Sequence, residues 1–222
     1  MTETYKTFGL DINVEDKNLL NQELKNRLKN QVWEKKEVDA LSHISKDACV
    51  LELGACIGIV ASVLNKQLTD PTKQVSLEPN PKLIEQLTRV RNDNNCQFHI
   101  VNSFIDTEIH HQKFSLHPNH VMGGELGEIK DWEVVNIESS TIESLEKRFG
   151  LTFDTLVMDI EKAEYPLWNK GFFTDQHISN IKTMMIEFHW NTRRNKLREH
   201  LKSMFEETIV SEGGNIVGVY KR

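Results

Sequence analysis

Apolar residues recur at helical spacing in the first 45 positions. The stretch NLLNQELKNRLKNQVWEKKEVDALSHI brings Leu19, Leu20, Leu24, Leu28 and Val32 close to one face. Residues 1–45 are otherwise polar, and no Gly/Ser- or Pro-rich linker follows them, so they read as an N-terminal helical extension or lid. From residue 46 to residue 222 the pattern alternates between strand and helix. The strand ACVLEL precedes IGIVASVLNKQL, whose Ile57, Val60, Ala61, Leu64 and Leu68 share a side. The strand QVSLE precedes the helix NPKLIEQLTRVRN, where Asn80 can cap, Pro81 suits the first helical position and Leu83, Ile84, Leu87 and Val90 form the buried stripe. After the strand CQFHIVN, residues 106–136 read as irregular. The helix SSTIESLEKRF follows, with Ser140 and Glu143 spaced as a capping box. Then come the strand DTLVMDI, a short helix or turn AEYPLWNKGF interrupted by Pro166, the strand TMMIEFHW and the helix TRRNKLREHLKSMF. ETIVSE, a Gly-Gly-Asn turn and NIVGVYKR close the chain as a β-hairpin.

Such alternation predicts an α/β fold with a mostly parallel, doubly wound sheet. Ligands of these sheets bind beyond the carboxyl ends of the strands, so the residues that finish strands carry the chemistry. Glu52, Gly54 and Gly58 finish the first strand, where glycine lets the backbone turn tightly against a ligand. The spacing is E-x-G-x-x-x-G, not the G-x-G-x-x-G of dinucleotide loops. Glu78 finishes the second strand, where an acid can accept from two ribose hydroxyls. Asp159 and Glu161 finish the fourth, and Glu187 and His189 the fifth. Ionisable groups gathered at adjacent strand ends are costly unless a function uses them.

Composition narrows the classes. Of 222 residues 38% are hydrophobic and the net charge is −6, which argues against a general nucleic-acid or membrane-surface binder. The opening MTETYKTFGL has no secretory pattern, no apolar run is long enough to span a bilayer, and the three cysteines Cys49, Cys56 and Cys96 suit reduced thiols, so a cytoplasmic protein is expected.

VLELGACIGIVASVLNK, VSLEPNPKLIEQLTRVRNDNN, STIESLEKRFGLTFDTLVMDIEKAEYPLW and MMIEFH resemble, in order and spacing, the FkbM family of S-adenosylmethionine-dependent methyltransferases. Trp33–Glu34 resembles that family's segment before the first strand. The most specific piece is D-x-E-x-x-E at Asp159, Glu161 and Glu164, which in the family usually carries glycine where this chain has Lys162. The family loop often reads G-A-N-x-G, and Cys56 stands in place of its asparagine.

The resemblance implies a Rossmann-like class I methyltransferase fold: a mostly parallel seven-stranded sheet, helices on both faces and a C-terminal antiparallel hairpin strand. It implies S-adenosyl-L-methionine as cofactor, S-adenosyl-L-homocysteine as product, and O-methylation of a sugar, glycan or related small molecule. The expected cofactor contacts are Glu52, Gly54, Ala55, Cys56, Gly58, Glu78, Pro79 and Asp159, with Asn102 and Ser103 at the adenine edge. For proton transfer, His189 and Asp159 are the candidate bases and Glu161 the orienting group. The long segment HHQKFSLHPNHVMGGELG is expected to form part of the acceptor pocket with the N-terminal helices; its His110, His111, His117 and His120 read as a solvated polar loop and no metal is expected, a divalent ion at Asp159 and Glu187 ranking second. The competing classes are an NAD-dependent oxidoreductase and a non-catalytic scaffold of the same fold.

Overall fold

The computed structural model describes residues 2–16, 19–118, 121 and 123–222. The chain opens with strands β1 (Glu3–Thr7) and β2 (Leu10–Val14), then helices α1 (Gln22–Lys29) and α2 (Lys35–Ala40). Next come β3 (Val50–Leu53), α3 (Ile59–Gln67), β4 (Gln74–Leu77), α4 (Ile84–Asp93) and β5 (His99–Val101). Four further strands follow: β6 (Phe104–Ile105), β7 (His111–Leu116), β8 (Gly124–Leu126) and β9 (Glu133–Ser140). The chain ends through α5 (Ile142–Phe149), β10 (Thr155–Met158), α6 (Glu164–Asn169), α7 (Asp175–Ile178), β11 (Thr183–Phe188), α8 (Arg194–Lys202), β12 (Glu206–Ser211) and β13 (Ile216–Lys221).

The central sheet has the order β12-β13-β11-β10-β3-β4-β5. Pairings from β11 through β10, β3 and β4 to β5 are parallel, and β13 runs antiparallel to both β11 and β12. Side-chain alternation divides the core between the faces. Leu51, Leu53, Leu156, Met158, Met184 and Ile186 share a cluster with Leu145 of α5, Leu167 of α6 and Leu197 of α8. Val50, Val157, Met185, Val217 and Val219 pack with Ala40 of α2 and Leu64 of α3. The same parity puts Glu52 on the second face, inside the sheet layer.

The first 45 residues are less helical than their spacing predicts. Tyr5, Thr7, Leu10, Ile12 and Val14 are buried at period two in an antiparallel hairpin, and both turn residues have positive φ (Phe8 47°, Gly9 75°). Leu24 and Leu28 do form the buried stripe of α1, whereas Val32 lies beyond the helix and is 48% exposed. This segment shares one cluster with Ile57, Ile59, Leu83 and Val90, so it is fastened to α3 and α4. Residues 106–136, expected to be irregular, contain β7, β8 and the start of β9 in a sheet ordered β6-β9-β7-β8. Phe104, Phe114, Leu116 and Ile137 give that sheet its own small core.

Two helix starts shift. Asn80 accepts from the Lys82 N–H at 3.0 Å in a turn that precedes α4, whose regular part begins at Ile84. Thr141, not Ser140, caps α5, and Ser144 closes the box. Among the described residues no helix is long and apolar enough to cross a membrane.

Candidate active site

The turn from β3 to α3 is held by backbone bonds to the next strand. The N–H groups of Gly54 and Ala55 both donate to the Leu77 carbonyl at 2.9 Å. Gly54 has φ +87°, and a Cβ there would lie 1.8 Å from the Asp159 carbonyl oxygen, so only a bare backbone lets β3 and β10 end side by side. Gly58 has φ +92°, and a Cβ would meet Leu87 Cδ1 of α4 at 2.6 Å. Between them Cys56 takes φ 49° and donates its N–H to Glu78 Oε2 at 2.8 Å. The other Glu78 oxygen accepts from the Asn80 N–H at 2.7 Å. Glu78 thereby ties the first strand-end turn to the second. Burial raises its pKa to about 7, against the pull of those two N–H groups.

Across the turn, four carboxylates gather around one imidazole and two more stand beside them. His189 is 6% exposed. Its Nε2 lies 3.2 Å from Glu161 Oε2, 3.6 Å from Asp159 Oδ1 and 3.7 Å from Glu187 Oε2, and its Nδ1 lies 3.6 Å from Glu164 Oε1. Glu164 is fully buried and also accepts the His189 backbone N–H at 3.1 Å. Glu34 and Glu37 complete the group from the N-terminal segment. Burial pushes Glu37 up to about 7, and the hydrogen-bonded Glu187 beside it adds to the rise. Asp159 is raised well above the carboxylate range by burial first, then by Glu187 and Glu34. Burial alone would lower His189, but bonds to Glu161 and Glu164 and the Asp159 charge outweigh it and hold the imidazolium up to about 11. An imidazolium has no free lone pair, so a ring held protonated by these carboxylates is poorly suited to serve as the base and better suited to pair with them. Among the described residues, His189 is the sole cationic side chain ion-paired with Asp159, Glu161, Glu164 or Glu187.

All of these groups except Glu164 line a cavity of about 600 Å³ at the carboxyl edge of the sheet. Gly54, Cys56, Glu78, Pro79, Ser103, Asp159, Glu161 and His189 line it, as the strand-end reading expects. Ala55, Gly58, Glu52 and Asn102 do not. Glu52 is 2% exposed, accepts from Ser76 Oγ and from Gln74 Nε2, and has its pKa pushed up to about 7 by burial. A strand residue of that parity points into the sheet layer, not past its edge. Asn102 donates to the Glu78 and Pro79 carbonyls at 2.8 and 3.0 Å, bracing the turn from outside. Ser103 is buried, donates to the Glu138 carbonyl at 2.7 Å and lies 2.8 Å from Ser140 Oγ, joining the two sheets.

The N-terminal segment helps form the pocket, as expected, but sequence reading did not single out Glu37, Arg27 or Val32 in the wall that they form with Trp33 and Glu34, more than a hundred residues before Asp159. The Trp33–Glu34 pair was the one signal available. Gly123, Gly124 and Leu126 of the segment HHQKFSLHPNHVMGGELG close the cavity from the second sheet, as expected of that loop. His110 lies 3.6 Å from Asp106, which also pairs with Lys170, and His117 packs edge-on against Trp132; His120 lies outside the described residues.

A model of the methyltransferase FkbM domain matches residues 52–210, well over half of the chain, from within β3 to within β12 and short of β13. The chain belongs to the FkbM methyltransferase family. Within the family's D-x-E-x-x-E run, Glu161 and Lys162 have φ of 51° and 74°, so lysine occupies a left-handed position where the family pattern carries glycine. No curated protein matches the chain.

Solved structures match its fold. TYW2 of M. jannaschii in complex with AdoMet is 14% identical with a TM-score of 0.53, covering 100% of this chain and 86% of that one. An rRNA methylase of Streptococcus thermophilus is 5% identical with a TM-score of 0.52, covering 85% and 94%. An uncharacterized protein of Listeria monocytogenes serotype 4b is 11% identical with a TM-score of 0.52, covering 84% of this chain and 66% of its own length. At such identities the likeness shows the α/β methyltransferase fold alone.

Proposed function

We propose that the chain transfers a methyl group from S-adenosylmethionine to a hydroxyl of a sugar, glycan or related small molecule. The observation that carries this reading is the convergence of a bare Gly54 turn, Glu78 and Asp159 on one cavity at three adjacent strand ends. The residues fit that cofactor. Glu78 keeps lone pairs beyond the two spent on backbone N–H groups and can accept from a vicinal diol. Asp159 Oδ1 is buried without a hydrogen-bond partner, and the surplus of carboxylates around it favours a cationic ligand. When bound, the cofactor supplies an activated methyl group on a sulfonium.

The protein's part is then to place an acceptor oxygen in line and remove its proton. The carboxylate pair Asp159 and Glu161 takes that proton, His189 between them being already protonated. A raised pKa makes Asp159 a stronger proton acceptor than an ordinary carboxylate, and such assistance contributes about 10²–10⁴-fold. Acidic side chains (Glu34, Glu37, Glu78, Asp159, Glu161 and Glu187) outnumber the basic Arg27, Lys35 and Lys36 in the lining, which supports a neutral or cationic small acceptor over a polyanionic RNA.

Calorimetry with S-adenosylhomocysteine tests the cofactor half. A panel of sugars and glycosides scored for release of S-adenosylhomocysteine tests the acceptor half. Absence of binding refutes the reading as a whole, and turnover on RNA alone refutes the acceptor.

A further inference from the structure

One atom each of Asp159, Glu187 and His189 lies within 4.8 Å of the other two, at the ends of the adjacent strands β10 and β11. We propose that these three side chains bind a divalent first-row cation in the floor of the cavity. A carboxylate–carboxylate–imidazole set suits Mn²⁺ or Zn²⁺ better than Mg²⁺, which favours oxygen throughout. A cation about 2.1 Å from each donor puts neighbouring donors about 3.0–3.5 Å apart. His189 Nε2 already stands 3.6 Å from Asp159 Oδ1 and 3.7 Å from Glu187 Oε2, so the triangle closes by side-chain rotation.

An acidic cluster alone would not distinguish a metal seat from an ion-pair network. The second observation lies behind the imidazole. Glu164 is fully buried, its Oε1 is 3.6 Å from His189 Nδ1, and its Oε2 has no partner. A buried carboxylate behind the distal ring nitrogen is what orients a metal-bound histidine and fixes its tautomer. Asp159 Oδ1, also buried and unpartnered, is the second incomplete donor, and it faces His189 Nε2 from the cavity side. Binding would displace the proton from Nε2 to solvent and draw the ring away from Glu161, leaving that carboxylate free beside the cation. The proposed role in catalysis rests on the methyl-transfer reading: the acceptor oxygen would sit on the cation, lose its proton to Glu161 and form the new C–O bond as the S–C bond breaks. Cation binding does not rest on that reading.

The probe is Mn²⁺, added to the full chain after EDTA treatment and desalting, with the free-ion electron paramagnetic resonance signal as readout and Zn²⁺ calorimetry beside it. One cation per chain is expected. Glu187→Gln and His189→Gln should each weaken it at least tenfold. Glu164→Gln, which keeps all three donors, should weaken it about 10–100-fold. Should His189→Gln fail to fold, the two glutamate variants decide. Absence of stoichiometric Mn²⁺ and Zn²⁺ binding by the unaltered chain overturns the proposal, as does binding that both glutamate variants retain. Calorimetry with S-adenosylhomocysteine in EDTA reports on the methyl-transfer reading separately, so failure of one is not failure of the other.

Discussion

Replacing Glu52 with glutamine should make the protein more stable, and increasingly so as pH rises. The side chain is 2% exposed and receives two hydrogen bonds, from Ser76 and Gln74, so burial dominates and lifts its pKa from 4.5 to about 7. Between pH 4.5 and 7 the folded chain holds a proton that the unfolded chain has released. Stability therefore falls as pH rises through that window, and the whole cost applies above it. A displacement of about 2.5 pK units corresponds to about 3 kcal/mol at pH 8, and the same relation leaves about 1 kcal/mol at pH 5. Glutamine keeps an acceptor for Ser76 and Gln74 and carries no charge. Urea unfolding of both proteins at the two pH values is the assay. Any change in hydrogen-bond quality adds equally at both, so the quantity to read is the change in the difference, about 2 kcal/mol in favour of Glu52→Gln at pH 8. Glu78 titrates in the same window but is present in both proteins and cancels to first order. A stability difference that does not change with pH would refute the claim that Glu52 is held protonated by burial.

Asp159→Asn should lower kcat for methyl transfer about 10²-fold or more with the fold retained by circular dichroism, and full activity would remove Asp159 from the mechanism. Gly54→Ala puts a Cβ 1.8 Å from the Asp159 carbonyl at a positive φ, so a loss of about 3 kcal/mol or more is expected in urea unfolding, with weaker S-adenosylhomocysteine binding by calorimetry. Lys162→Gly relieves a left-handed lysine at an exposed position, and the relief exceeds the added unfolded-state entropy, so a gain of about 0.5–1 kcal/mol is expected; a loss would show that Lys162 makes a compensating contact.

The strand-end acids were legible because a strand is a local object. An apolar run ends where the sheet ends, and Glu78, Asp159, Glu161, Glu187 and His189 each follow such a run. Alternation within a four-residue strand also decides that Glu52 faces the layer beneath Gln74 and Ser76, a parity argument that outweighs its place in the loop motif. The second sheet was legible in part: Val135 and Ile137 alternate with polar neighbours in EVVNIESS, but β7 and β8 are short and gain their apolar face only by pairing.

Local pattern therefore carried the strand–helix alternation and the chemistry at the carboxyl edge, since both depend on neighbours a few residues apart. The tertiary structure alone decided which charges share a space. Glu34 and Glu37 reach the Asp159–His189 cluster because the N-terminal hairpin and α1 pack on α3 and α4, a contact between segments far apart in the chain. The pairing of β10 with β11 brings Asp159, Glu161 and Glu164 to His189, and these three hold it as an imidazolium. Protonation is set by the sum of charges brought within a few ångströms, and no spacing along the chain encodes that sum.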